Sequence, residues 1–226
     1  MSQYHSVAID GPAGAGKSTM AKAVAKKLGF VYVDTGAIYR TVGYHMHLMG
    51  IGPRDTDGVT RLIDDVNLQI TYDEAGVQHM MLNGADVTDE IRTPEMSTIA
   101  SQISKQPVVR DFLLDVQRDV AKKNHVIMDG RDIGTVVLPR AEVKIYLTAS
   151  PEVRAQRRFL ELKAKDPHIR YEDVLRDLKE RDQTDMTRKI APLRKAPDAI
   201  ELNTDQLSLE KSIDAMLQII QGRLGL

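Results

Sequence analysis

Gly11-Pro12-Ala13-Gly14-Ala15-Gly16-Lys17-Ser18 decides how the rest of the chain is read. The stretch satisfies the pattern G-x-x-x-x-G-K-[ST], and its flanks supply the setting that pattern needs. Before it, Ser6–Asp10 (Ser-Val-Ala-Ile-Asp) has the apolar texture of a short buried strand. After it, Met20, Ala23, Val24 and Leu28 fall at the spacing of one helix face between Thr19 and Leu28. Strand, glycine-rich loop and helix in that order make a phosphate cradle. Glycines let the backbone curl with its N–H groups inward, and the helix N-terminus adds partial positive charge. Residues Gly11 to Thr19 are therefore expected to hold a triphosphate. Lys17 would reach its β- and γ-phosphates, and the Ser18 hydroxyl would ligate Mg²⁺.

Working outward, 226 residues suffice for one large domain or one domain carrying an insertion. Hydrophobic residues at 42% and charged residues at 28% give an ordinary globule with enough apolar surface for a core. A net charge of −1 provides no global positive field, which argues against a protein that coats nucleic acid. With no cysteine, disulfides and thiolate chemistry are excluded, and a reducing compartment suits the chain. Met-Ser-Gln-Tyr-His runs straight into the first strand with no basic segment and long apolar stretch, so no secretory signal is expected. No run of about 18 apolar residues occurs, so no membrane span is expected either. The expectation is a cytoplasmic monomer that handles small molecules, with neither nucleic acid nor membrane as partner.

Gly29 reads as the stop of the loop helix, and Phe30–Asp34 as a second strand ending in Thr35-Gly36-Ala37-Ile38-Tyr39-Arg40. Ligands of open parallel sheets bind beyond the carboxyl ends of the strands, so Asp34, Thr35 and Arg40 start on the same edge as the loop. An anion-binding role for Arg40 is favoured over a solvated one. Residues 41–62 look mostly helical, broken at Gly50-Ile51-Gly52-Pro53. His45 and His47 are two apart and cannot share a helix face, so they are read as structural rather than as metal ligands. Leu68, Ile70 and Tyr72 alternate, Glu74-Ala75-Gly76 turns, and Val77–Leu82 returns as a second strand. This patch is either a mobile flap beside the nucleotide mouth or a passive hairpin. Ser101 lies in a polar stretch feeding a helix that Pro107 opens, with Phe112, Leu113, Val116 and Val120 on its apolar face. Arg110 falls near the positive end of that helix, where a cation gains nothing from the dipole. Its place hints at an anionic or hydrogen-bonding partner.

His125–Asp129 is a third strand that ends in an acid, resembling a Walker B strand; Asp129 would hold Mg²⁺ through its waters. Arg131 and Asp132, between Gly130 and Gly134, are more than a turn requires, and a binding role is expected. Val143–Leu147 makes a fourth strand, and Ser150-Pro151-Glu152 a strong helix start. Arg154, Arg157 and Arg158 then fall on one helix face, either solvated or turned to polyphosphate. From Tyr171 to Lys189, the stripe Val174, Leu178, Arg181, Asp185 and Arg188 starts apolar and becomes charged, as in a helix that leaves the core to line a polar cavity. Arg181 and Asp185 could instead simply pair with each other. Ala199–Asn203 is the fifth strand and Ser208–Leu224 the closing helix. The fold class is α/β: a three-layer P-loop NTPase fold with a five-stranded parallel sheet and a small β-rich insertion.

Four segments together resemble the bacterial-type cytidylate kinases, which move a phosphoryl group from ATP to CMP or dCMP. They are Ile9–Thr19, Asp34–Arg40, Asp129–Val136, and Lys179–Asp182 continuing through Asp185 and Arg188 to Ala191-Pro192-Leu193. Thr35 stands where some members have serine, which keeps the hydroxyl. The resemblance implies one kinase domain over 1–226, with 62–95 as the monophosphate-binding insertion and about 151–170 as a short lid. It implies ATP and Mg²⁺ as cofactors, and Lys17, Asp129, Arg131 and Arg188 as catalytic. Arg110 and Asp132 would read cytosine, with Thr35 and Arg188 assisting. Ser101, Arg181 and Asp185 would line the sugar, Arg40 and Arg131 would grip the acceptor phosphate, and the lid arginines Arg154, Arg157 and Arg158 would close on ATP. A carboxylate accepts naturally from cytosine N4. Uracil presents an acceptor there instead, a mismatch that can cost about 10⁴-fold in a closed pocket. A P-loop kinase for another small acceptor is the alternative. A guanine-nucleotide switch is disfavoured because no Asn-Lys-x-Asp motif occurs.

Overall fold

Strand β1 (Ser6–Asp10) is a continuous apolar run because both its faces are covered: Val7, Ala8 and Ile9 are all completely buried. Its side chains alternate between two cores. Val7 and Ile9 meet Met20, Val24, Met216 and Ile220 from helices α1 (Lys17–Leu28) and α8 (Leu209–Leu224). Ala8 meets Ile38, Val42 and Leu113 from α2 (Thr35–Leu48) and α5 (Pro107–Lys123). The same alternation holds in β6 (Val126–Gly130), where Ile127 faces the first core while Val126 and Met128 face the second. With β2 (Val31–Asp34), β7 (Val143–Thr148) and β8 (Ile200–Asn203) these strands form a five-stranded, wholly parallel sheet in the order β2-β6-β1-β7-β8. The expected three-layer α/β fold is present, and all five expected strands are in it. The computed structural model describes residues 4–164 and 166–226. Met1 to Gln3, on which the expected absence of a signal partly rests, and Lys165, inside the expected lid, lie outside the described residues.

Consecutive strands diverge from β1: the chain passes from β1 to β2, returns to β6 between them, and then crosses to β7. The crevice at such a reversal is where open α/β sheets bind ligands. Asp34 and Asp129 end neighbouring strands in direct register there.

Three strands stand outside this sheet. β3 (Leu68–Tyr72), β4 (Gln78–Leu82) and the short β5 (Ala85–Asp86) form an antiparallel sheet of their own. Met80 and Leu82 anchor it in the core beneath α2. One expectation needs correcting between this sheet and α5. Ser101 does not lie in an irregular stretch but on α4 (Pro94–Ile103). The Thr93 hydroxyl caps that helix by accepting from the Met96 N–H at 3.1 Å, Pro94 takes its first turn, and Met96, Ala100 and Ile103 bury one face. Among the described residues no helix is long and apolar enough to cross a membrane.

Candidate active site

The carboxyl ends of β1, β2 and β6, with α4, α6 (Pro151–Lys163) and α7 (Tyr171–Thr187), enclose a cleft of about 470 Å³. Its floor is the Gly11–Thr19 loop, folded as the pattern predicts. Gly11 sits at φ 155° with its α-carbon against β7, and a Cβ there would lie 2.0 Å from the Leu147 carbonyl oxygen. Gly16, at φ 84°, ends the loop in the left-handed region and opens α1 without a side-chain cap. The N–H groups of the first turn are thereby left facing the cleft. The Lys17 ammonium donates to the Gly11 and Pro12 carbonyls, each at 2.8 Å. Burial, and then the nearby Arg131 guanidinium, push its pKa down to about 7.

Behind the loop, the buried Asp129 carboxylate accepts from Ser18 Oγ at 3.0 Å and from Tyr32 Oη at 2.7 Å. Burial and the neighbouring Asp34 charge raise its pKa. Hydroxyl and carboxylate are hard oxygen donors side by side. Mg²⁺ is usually held by one or two such groups and completes its shell with water and phosphate oxygens. Among the described residues no group of three His, Cys, Asp or Glu side chains is placed to hold a metal ion. His45 is buried and His47 exposed, on different faces of α2, as the spacing predicts.

The opposite wall is made of ion pairs. Asp132 is 5% exposed, and its carboxylate accepts from Arg110 through one oxygen and from Arg188 at 3.1 Å through the other. Both guanidiniums also reach Ser104, Arg110 at the carbonyl (3.3 Å) and Arg188 at the hydroxyl (3.4 Å). The Tyr39 ring lies 5.8 Å from the Arg110 guanidinium, at cation–π distance. The partner that the position of Arg110 near a helix start called for is thus Asp132. The backbone beyond Asp132 is fixed by Asp10, whose carboxylate accepts from Ile133 N and Gly134 N, both at 2.7 Å. Burial pushes the Asp10 carboxyl up to about 6 despite these bonds.

Between the two walls lie Arg40, Arg131, Arg181 and Asp185. Arg131 donates to Asp185 at 2.7 Å. Burial works against the Asp185 charge, but Arg131 outweighs it and holds the carboxyl below its usual range. The pairing of Arg181 with Asp185 weighed from their spacing is not made: the Arg181 Nε is buried without an acceptor. Burial and then Arg131 lower the Arg181 pKa to about 10. Arg40 donates to Asp34 at 3.1 Å and likewise buries its Nε without an acceptor. Beside Lys17 and Arg131, the Arg40 and Arg181 guanidiniums thus each keep one buried donor unmet, in a centre where cations outnumber the carboxylates paired with them.

A family model for cytidylate kinase matches residues 7–222. The chain belongs to the cytidylate kinase family. It is 48% identical over 217 residues to the cytidylate kinase of Fervidobacterium nodosum, covering 96% of both chains. To that of Carboxydothermus hydrogenoformans it is 49% identical over 214 residues, covering 95% of this chain and 96% of the relative. Among solved structures, an uncharacterised protein from Eubacterium ventriosum superposes with a TM-score of 0.53 at 12% identity, covering 96% of this chain and 98% of the other, a likeness of fold alone.

Within this cytidylate kinase fold, Thr35, Arg40, Ser101, Asp129, Arg131, Asp132, Arg181, Asp185 and Arg188 line the cleft with the loop, whereas Arg110 stands behind Asp132 rather than in that lining. Thr35 turns its hydroxyl to the Asp129 carbonyl at 2.7 Å. The three arginines expected in a lid do not act as one face. Arg158 alone lines the cleft. Arg154, 2% exposed, donates to the Ala149 and Ala13 carbonyls at 2.8 Å and to Asp182 at 2.6 Å, so it braces the loop from behind. Arg157 donates to the Thr204 carbonyl at 2.7 Å beyond β8. Helical spacing puts residues on one face but does not say which neighbour each will meet. Arg188 stands with Asp132, and its place gives no support to a role at the moving phosphoryl group. Residues singled out by structure alone are Tyr39, Ser104 and Asp10. Asp34, placed at the cleft edge by its strand end, joins them through Arg40.

Proposed function

We propose that the chain transfers the γ-phosphoryl group of ATP directly to CMP or dCMP, giving ADP and CDP or dCDP. The observation that carries this reading is that Asp132, held between Arg110 behind it and Arg188 beside it, lines the same cleft as the Lys17 loop. Asp132 has lone pairs left to accept from cytosine N4, and the Arg110 guanidinium can donate to O2 or N3. Ser101, Arg181 and Asp185 would hold the sugar. Arg40, Arg131 and Arg181 form the cationic centre that the acceptor phosphate would enter, filling the two unmet guanidinium donors.

The ATP phosphates would lie along the Gly11–Thr19 backbone, with Lys17 leaving the Gly11 and Pro12 carbonyls for phosphate oxygens. Ser18, and Asp129 through water, would hold Mg²⁺. Bound there, the ion would neutralise charge on the β- and γ-phosphate oxygens. An acceptor phosphate oxygen attacks the γ-phosphorus in line as the bond to the β–γ bridging oxygen breaks, and ADP leaves with that electron pair. The attacking oxygen is already ionised, so no general base is needed. Lys17 and Arg131 offset the charge on the moving group, and positioning supplies the remainder. Residues 62–95 would act as the monophosphate-binding insertion, and 151–170 as a lid that keeps water from the γ-phosphate. A coupled assay with ATP against CMP, dCMP, UMP and AMP tests the assignment. CMP and dCMP are expected to turn over far faster than the other two, and equal rates with UMP would overturn the reading of the base.

A further inference from the structure

β2 is an edge strand, paired on one side with β6 only. Exposed edges carry unpaired main-chain groups, and proteins usually cover them. Here the small sheet covers the edge with side chains instead of a main-chain ladder. The Tyr72 hydroxyl donates to the Tyr32 carbonyl at 3.2 Å. The amide of Gln78, a buried side chain, spans both main-chain groups of Asp34: its Oε1 accepts from Asp34 N at 2.7 Å, and its Nε2 donates to Asp34 O at 3.4 Å. A side-chain amide thus imitates one rung of a strand pair.

The residue it grips is a junction. The Asp34 carboxylate caps α2 by accepting from Ala37 N at 2.9 Å, and through its other oxygen it accepts from Arg40 at 3.1 Å. Asp34 is also in register with Asp129. Resting on the reading given under Proposed function, we propose that Gln78 is a positioning residue. It ties the small sheet to Asp34 and thereby sets Arg40 against the acceptor phosphate.

The test uses the full chain with Gln78→Leu, which removes both bonds, and Gln78→Glu, which keeps the acceptor for Asp34 N but sets an oxygen against Asp34 O. CMP and ATP affinities are measured by calorimetry, and exchange of the Asp34 amide hydrogen by NMR. Loss of two hydrogen bonds is expected to weaken CMP binding about tenfold in Gln78→Leu, with a smaller loss in Gln78→Glu. ATP affinity should be unchanged, and Asp34 amide exchange faster. A merely structural role would lower thermal stability and leave the CMP affinity of the folded protein as it was. In an Arg40→Met background, Gln78→Leu should weaken CMP binding no further. Unchanged CMP affinity in Gln78→Leu, or in Gln78→Glu should the leucine variant fail to fold, would overturn the proposal. Failure of the unmodified chain to bind CMP would overturn the proposed function instead.

Discussion

On the loop wall of the cleft, the lining comes from seven consecutive residues, Ala13 to Thr19. On the acceptor wall it comes from α2, α4, the turn after β6, and α7 with its C-terminal cap, with Arg110 of α5 behind Asp132. The loop wall is shaped mostly by its own main chain, with Gly11 packed on Leu147 and Arg154 bracing the Ala13 carbonyl from behind. The acceptor wall is held by its own charges: Asp132 between two arginines, Asp185 on Arg131, Asp34 on Arg40. Rigid main chain suits a ligand part common to all nucleoside triphosphates. Interlocked side chains suit a part that must be told from its relatives.

If the walls divide the work this way, Lys17→Met should remove charge stabilisation from the moving group and lower kcat by about 10³-fold, with CMP-over-UMP selectivity intact. Kinetics with both acceptors would show it. The converse change is Asp132→Asn, which presents an amide donor where cytosine also has one. CMP-over-UMP selectivity should fall by about 10²-fold or more while ATP affinity holds. Unaltered selectivity would mean that the base is read elsewhere. Arg154→Met strands the Asp182 carboxylate behind the loop and should cost about 3 kcal/mol in denaturant unfolding. Arg158→Ala should cost nothing measurable there.

Lys17 also offers a test by proton counting. With its pKa near 7, the Lys17 side chain is largely neutral at pH 8. Triphosphate would restore the charge, so ATP binding at pH 8 should take up roughly one proton, detected by calorimetry in buffers of different ionisation heat. Lys17→Met should abolish the uptake. Without nucleotide, the fold should gain stability as pH rises from about 7 towards the usual lysine range, because the unfolded chain then holds a proton that the folded chain has lost. The smallest effect expected is that of Arg158→Ala on the KM for ATP, a rise of about threefold, in keeping with a partly exposed charge.

The same contrast explains what could be read from the chain. The loop was legible because its function lies in one contiguous pattern, and the five strands because buried parallel strands are apolar throughout. The stripe on α7 was legible too, since Leu178, Arg181, Asp185 and Arg188 share a helix face and do line the cleft. What a face meets was not. The spacing of Arg154, Arg157 and Arg158 is regular, yet the three point to the loop, to β8 and to the cleft. Helix α4 carries its cap at Thr93-Pro94 and its apolar spacing at Met96, Ala100 and Ile103, signals that a reading of the stretch as merely polar does not use. Tyr39 and Ser104 gave no local signal, because each matters only through Arg110, which the fold brings to them.

The interlocked charges of the acceptor wall have one more effect. Arg110, Arg131 and Arg188 are stripped of most of their water when the chain folds, with carboxylates already in place of it. A nucleotide that arrives need not dry these groups afresh; it exchanges contacts with residues already held in position.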